Sequence, residues 1–205
     1  MTYEGRRTRV SPPKRRRPLR LSKYDYSQPG EYFVTICTKD REGRFGEIVD
    51  GDMRMNDFGG IAQSRWNDLP NHYPNVKLDA FVVMPNHVHG IIVLTDESVG
   101  ARSRRPNTGA GKPRPYLGNV VAYLKYQSAK RINAIRGTPG VPIWQRGYYD
   151  HIIRDQRSLE RIREYIVTNP CRWKSDKENP ASTSKDEFDL WVSSAGGDNT
   201  PEGAL

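Results

Sequence analysis

Cysteine is almost absent: Cys37 and Cys171 are the only two in 205 residues. They form no CxxC pair and cannot build a disulfide framework, which points to a reducing compartment, the cytoplasm. Long apolar runs are missing as well. No stretch approaches the roughly 20 residues that cross a bilayer. The basic start is followed by no apolar segment of the kind a secretory signal needs, so neither a membrane anchor nor export is expected. Apolar residues make up 35%, too few for the whole chain to pack, although the length allows one domain with a real core. No repeat at a fixed period is present. Histidine is scarce, four in all, so the placement of any two together is informative.

Positive charge is abundant. The formal charge is +9 and the pI about 9.6, which favours a polyanionic partner. Residues 1–23 carry nine Lys/Arg, including Arg15, Arg16 and Arg17, against the single acid Glu4. Residues 174–205 carry three Lys against seven acids, a net of −4. The chain therefore divides into a basic disordered arm (1–23), a globular domain (24–173) and an acidic, disordered tail (174–205). Within the domain, 96–114 reads as a loop that includes Arg104 and Arg105. Its "GAGKP" lacks the spacing and the Ser/Thr of a phosphate loop.

Elsewhere the pattern is regular. "EYFVTICTK" (31–39) alternates and predicts a strand. Asp50-Gly51-Asp52 marks a hairpin turn. Asn56 is a helix N-cap for a segment running to about Leu69, with Ile61, Trp66 and Leu69 inward. "VKLDAFVVMPN" and "HVHGIIVL" are two further strands with a kink, bulge or tight turn at Pro85-Asn86. A helix ending at Gly137 follows, with Val120, Val121, Leu124, Ser128 and Ile132 on one stripe and Lys125 beside it. "PIWQRGYYDHIIR" predicts a strand and "SLERIREYIVTNP" a helix stopped near Pro170. This order suits an α+β fold, a ferredoxin-like antiparallel sheet with helices on one face.

His87 and His89 lie one residue apart in "VVMPNHVHGIIVL". On a strand, alternate side chains share a face, so both rings can reach one divalent metal. Burying two polar rings among apolar neighbours costs free energy unless something satisfies them, which favours a metal over two half-exposed strand histidines. Tyr165 and Asn169, four apart on the last helix, share a helical face. An amide oxygen would suit a hard ion such as Mg²⁺ or Mn²⁺. Taken alone, Asn169 reads as a helix C-terminal residue and Tyr165 as packing beside Ile162 and Ile166.

"VVMPNHVHGIIVL", "PIWQRGYYDHIIRD" and "SLERIREYIVTNPCRW" together resemble the REP-associated tyrosine transposases, relatives of the single-tyrosine insertion-sequence transposases among the HUH single-strand DNA nucleases. The resemblance spans residues 24–173. It implies a ferredoxin-like fold, Tyr165 as nucleophile through a 5′-phosphotyrosine, and Mg²⁺ or Mn²⁺ held by His87, His89 and Asn169. Insertion-sequence relatives often carry Gln where this chain has Asn169. The resemblance also implies single-stranded DNA with a REP-like hairpin as partner, and a monomer or homodimer. His151 and Asp155 are expected to support the site or touch DNA. Arg15, Arg16, Arg17, Arg104, Arg105, Lys125 and Arg146 are the expected phosphate contacts. Trp144, Tyr116, Tyr148 and Tyr149 are either base-stacking platforms or core.

Two other classes fit parts of the pattern. A non-catalytic nucleic-acid-binding module would use the same charge, but no RNP-type aromatic motif is present. A His-x-His zinc hydrolase would need a third His or an Asp close in sequence, and none is seen.

Overall fold

The computed structural model describes residues 24–96, 116–183 and 187–195. The basic arm, the loop residues Arg104 and Arg105, and residues 196–205 lie outside them.

Strand β1 (Gly30–Cys37) leads into a hairpin, β2 (Gly46–Val49) and β3 (Asp52–Met55). Asp50 and Gly51 both take positive φ, 55° and 86°, the geometry of the primed turn that an Asp-Gly pair favours. Helix α1 (Asp57–Asn67) starts where Asn56 Oδ1 accepts from Phe58 N at 2.9 Å and Gly59 N at 3.1 Å. The helix expected to reach Leu69 breaks at Asp68 and resumes as the short α2 (Leu69–His72), because Pro70 tolerates only a first turn. Then come β4 (Val76–Val83), β5 (His87–Leu94), α3 (Leu117–Arg136), β6 (Tyr149–Ile153), α4 (Gln156–Thr168) and α5 (Glu187–Ala195).

The sheet order is β4-β5-β1-β6, every pair antiparallel. Leaving aside the β2–β3 insertion, this is the βαββαβ arrangement of a ferredoxin-like α+β fold. The strand expected over 142–154 shortens to β6: Trp144 only bridges Thr38, and the chain then swings out through Arg146 and Gly147.

Strand parity builds two cores. Tyr32, Val34, Ile36, Val88 and Ile92 point to the face covered by α1 and α3, with Val120, Val121, Leu124 and Ile132 opposite them. Phe33, Ile91 and Ile153 point to the other face, where Leu159, Ile162, Tyr165 and Ile166 of α4 and Phe188 and Val192 of α5 cover them. Helices therefore lie on both faces, not one, because the central strands are apolar on both parities and each face needs a cover. At Gly90 the Trp66 ring lies close against the strand. A Cβ there would meet Trp66 Cη2 at 2.5 Å, so the Trp66–Phe81 stack, 4.3 Å between centroids, depends on the bare backbone.

The expected end of the domain at Trp173 is overturned for the described part of the tail. Asp176 and Glu178 are buried and α5 belongs to the second core. Counting charges marked 174–205 as solvated, but the two acids find partners inside.

Candidate active site

A tight turn presents the histidines. Met84 N donates to His87 O at 2.8 Å, so Pro85 and Asn86 form the two-residue connection between β4 and β5. On β5, His87 and His89 face the α4 side and pair across β1 with Cys37 and Thr35. Both rings are buried. Their Nε2 atoms lie 2.9 Å apart. His87 Nδ1 meets Asn86 Oδ1 at 2.8 Å and His89 Nδ1 meets Thr35 Oγ1 at 2.9 Å. Burial, then the neighbouring His89, holds the His87 pKa well below its ordinary value and keeps it a neutral donor.

Asp176 completes the cluster. Its Oδ2 lies 3.8 Å from each Nε2, and the three ligand atoms fall within 4.8 Å of one another. Burial works against the charged carboxylate. The two imidazoles and the Asn169 amide outweigh it and hold its pKa well below the carboxylate range. The strap that carries Asp176 is pinned on both sides. Asp176 Oδ1 accepts from Glu178 N at 2.6 Å, Arg41 pairs with Glu178 at 2.7 Å, and Asn86 Nδ2 donates to Glu178 O at 2.6 Å. Cys37 donates its thiol hydrogen to Glu178 Oε2 at 3.4 Å. Burial and that carboxylate push its pKa up to about 12, so it is not a thiolate ligand.

Asn169 sits behind Asp176 and donates Nδ2 to its Oδ2 at 2.9 Å. Its Oδ1 is buried with no hydrogen-bond partner among the described residues. The set fits a divalent cation. Two ligands set at right angles around one ion at about 2.1 Å stand about 3.0 Å apart, close to the observed Nε2 separation. One carboxylate supplies charge, and an orphaned amide oxygen lies beside it. The acid that chain order did not offer near the histidines is thus present in space.

Tyr165 hangs from α4 over this cluster. Asp155 caps the helix, accepting from Ser158 N at 2.8 Å, and Leu159, Ile162 and Ile166 hold its apolar face on the sheet. The Tyr165 hydroxyl lies 3.4 Å from His89 Nε2. Its ring stacks on Phe188 at 3.6 Å and 7°, leaving Tyr165 2% exposed. The Arg172 guanidinium lies 5.8 Å from the ring. A cleft of about 190 Å³ lined by Arg161, Glu164, Arg172 and Glu187 reaches Tyr165 from outside.

The other expected residues scatter. Asp155 is the α4 cap. His151 lies on the same sheet face, its ring 6.3 Å from Trp191, with its pKa lowered by burial and then Arg154. Arg146 is exposed. Lys125 turns inward to the carbonyls of Gln145, Arg146 and Gly147, which occupies all three of its hydrogens. Trp144 is core, its Nε1 donating to Ser128 Oγ at 2.9 Å. Arg15, Arg16 and Arg17 lie outside the described residues, as do Arg104 and Arg105. Asp176 was missed because it sits past the point where the chain turns acidic. Its one local signal is closeness to Asn169 across the Pro170–Ser175 turn.

No family model matches the chain. It is 36% identical over 170 residues to a Haemophilus influenzae protein described only as "Uncharacterized protein", covering 79% of this chain and 92% of that one. It is 25% identical over 156 residues to another from that organism, "Putative REP-associated tyrosine transposase", covering 72% of this chain and 74% of that one. Among solved structures it is similar to a REP-associated tyrosine transposase bound to a REP hairpin, with a TM-score of 0.47 and 19% identity over 75% of this chain and 74% of that one. It is also similar to a "putative transposase" from Deinococcus radiodurans, with a TM-score of 0.41 and 20% identity over 72% and 96%.

Proposed function

We propose that the chain is a REP-associated tyrosine transposase, as its 25% identity to a protein so described suggests, and that it cuts and rejoins single-stranded DNA beside a hairpin, with Tyr165 as nucleophile. One observation carries the reading: the Tyr165 hydroxyl lies 3.4 Å from His89 Nε2, at the edge of a buried His-His-Asp cluster.

In this reading His87 and His89 offer their Nε2 lone pairs and Asp176 the negative charge, while Asn169 holds Asp176 in place. Mg²⁺ or Mn²⁺ bound there would polarise a non-bridging phosphate oxygen and steady the scissile bond. The phenol, with an ordinary pKa near 10, needs nearby positive charge to react at neutral pH, and the Arg172 guanidinium lies 5.8 Å from its ring. The Tyr165 oxygen bonds to phosphorus as the bond to the 3′ oxygen breaks. The phenol loses a proton and the departing 3′ oxygen gains one. The linkage energy stays in the phosphotyrosine, so a 3′-hydroxyl can reverse the step without a nucleotide cofactor. Tyr165 is 2% exposed, so a DNA phosphate reaches its hydroxyl only if the side chains around it shift. Among the described residues no helix is long and apolar enough to cross a membrane.

The test is Tyr165→Phe with hairpin-bearing single-stranded DNA and Mg²⁺ or Mn²⁺, resolved on a denaturing gel. Wild type should give a covalent band and cleaved product. The variant should give neither, yet bind the DNA as before, since only a hydroxyl is lost. An adduct in the variant would move the nucleophile to another tyrosine, Tyr148 or Tyr149 first. Cleavage by both proteins without any adduct would mean a hydrolytic site.

A further inference from the structure

The hydrogens on the two histidines can be assigned from their neighbours, and the assignment differs between the rings. This rests on the reading of His87, His89 and Asp176 as a cation site, not on the DNA reaction. Asn86 Nδ2 donates to the carbonyls of Arg41 at 3.1 Å and Glu178 at 2.6 Å. Turning the amide over would set its oxygen against two carbonyl oxygens, so only one orientation is satisfied. The backbone is held too: Asn86 O accepts from Thr38 N at 2.8 Å and Thr38 Oγ1 at 3.0 Å. Asn86 Oδ1 therefore faces His87 Nδ1, 2.8 Å away, and can only accept. His87 keeps its Nδ1 hydrogen in every state, and Nε2 is its only possible lone pair for a cation.

His89 has no such constraint. Its Nδ1 lies 2.9 Å from Thr35 Oγ1, and a hydroxyl donates or accepts by rotating. The two Nε2 atoms stand 2.9 Å apart. With no cation, two bare lone pairs would face each other at that distance, so one hydrogen has to lie between them. A neutral His87 has already placed its hydrogen on Nδ1. The hydrogen comes from His89.

We propose that Thr35 is a positioning residue that lets His89 exchange tautomers as the cation enters. Without a cation, Thr35 donates to His89 Nδ1, and His89 Nε2–H donates to His87 Nε2. With a cation, the hydrogen sits on His89 Nδ1, Thr35 accepts it, and both Nε2 lone pairs face the ion. The ring loses one proton from Nε2 to solvent and takes one up at Nδ1, so its charge is unchanged. His87 is the invariant ligand and His89 the adjustable one, held between its metal-free partner and Thr35.

The test uses the full chain labelled with ¹⁵N-histidine and titrated with Mg²⁺ alone, without DNA. There are four histidines, and His72→Gln and His151→Gln identify the two outside the site. Imidazole ¹⁵N resonances should report His87 as the Nδ1–H form throughout. His89 should pass from Nε2–H to Nδ1–H on adding Mg²⁺. Thr35→Val keeps the branched shape and suits a strand; calorimetry should show Mg²⁺ binding weakened about 10- to 100-fold, and Thr35→Ser should restore it. The inference is overturned if His89 holds one tautomer throughout, if Thr35→Val binds Mg²⁺ as tightly as wild type, or if millimolar Mg²⁺ leaves both rings unmoved. Because no DNA is present, loss of the tautomer change counts against this inference and loss of cleavage against the proposed reaction.

Discussion

Asp176→Asn separates the two candidates for the third ligand. Asp176 Oδ2 accepts from Asn169 Nδ2 at 2.9 Å and Oδ1 from Glu178 N at 2.6 Å. Asparagine replaces one of these oxygens by a donor: set toward Glu178 N it opposes a donor, and set toward Asn169 it is accepted only if that amide turns over to present its unpaired Oδ1. The rearrangement costs at most about 1–3 kcal/mol, partly offset because a charge no longer has to be buried. For a chain of this size Tm should fall by about 2–12 °C, and the fold should survive. The larger effect is on the cation. The site keeps two imidazoles and loses the one carboxylate that joins them among the described residues, the ligand that Mg²⁺ prefers over imidazole. A loss of Mg²⁺ affinity of at least about 100-fold, about 2.8 kcal/mol, is expected. Zn²⁺, which suits imidazole, should lose less. The assay is the yield of covalent protein–DNA adduct against Mg²⁺ concentration, with Asn169→Ala alongside. The Asp176→Asn curve should move far to higher Mg²⁺, and that of Asn169→Ala, which removes only the hydrogen bond to Asp176, less far. An Asp176→Asn curve matching wild type, with Asn169→Ala inactive, would refute the reasoning and return the ligand role to Asn169.

Arg163 grips Asp79 through Nε at 2.9 Å and Nη2 at 2.5 Å, tying α4 to β4, and this hydrogen bonding lowers the Asp79 pKa. The stabilisation is complete above the unfolded Asp value near 3.9 and is lost as pH falls through the lower folded value. Thermal melts should therefore show Asp79→Asn less stable at neutral pH by about 1 kcal/mol or less, since the Arg163 side chain is 40% exposed, with the gap closing in acid. Gly90→Ala, whose Cβ would meet Trp66 at 2.5 Å, should cost about 1–3 kcal/mol by overpacking; a melt as stable as wild type would mean that Trp66 gives way freely. Deleting residues 1–23 removes nine Lys/Arg and should weaken DNA binding and flatten its dependence on log salt, whereas an unchanged slope would show that the arm does not touch phosphate.

Much of the architecture was legible because it is local. Alternation in 31–39 marked β1, Asn56 marked the start of α1, Gly137 the end of α3, and Asp50-Gly51 the hairpin turn. Each signal depends on residues within a turn or two of one another. The single-face helix layer was misjudged for a related reason: alternation shows which residues share a face, but not what covers that face. Phe33, Ile91 and Ile153 needed α4 and α5 above them, and only their packing reveals it.

The site divides along the same line. His-x-His on a strand determines that two rings share a face whatever the rest of the chain does, because the period of the backbone requires it. Helical spacing likewise puts Tyr165 and Asn169 on one side of α4. Whether Tyr165 meets the histidines depends on α4 docking against that sheet face, and the 3.4 Å contact with His89 exists only in the folded chain. Asp176 is the sharper case. By composition it belongs to an acidic tail. It becomes a buried carboxylate because Asn169, Arg41, Asn86 and the two imidazoles, drawn from three separate stretches of chain, hold it and Glu178 there. Local sequence determined the candidate ligands that one strand can pair by its own geometry. The third depended on free energies of burial and hydrogen bonding that arise only when distant segments meet.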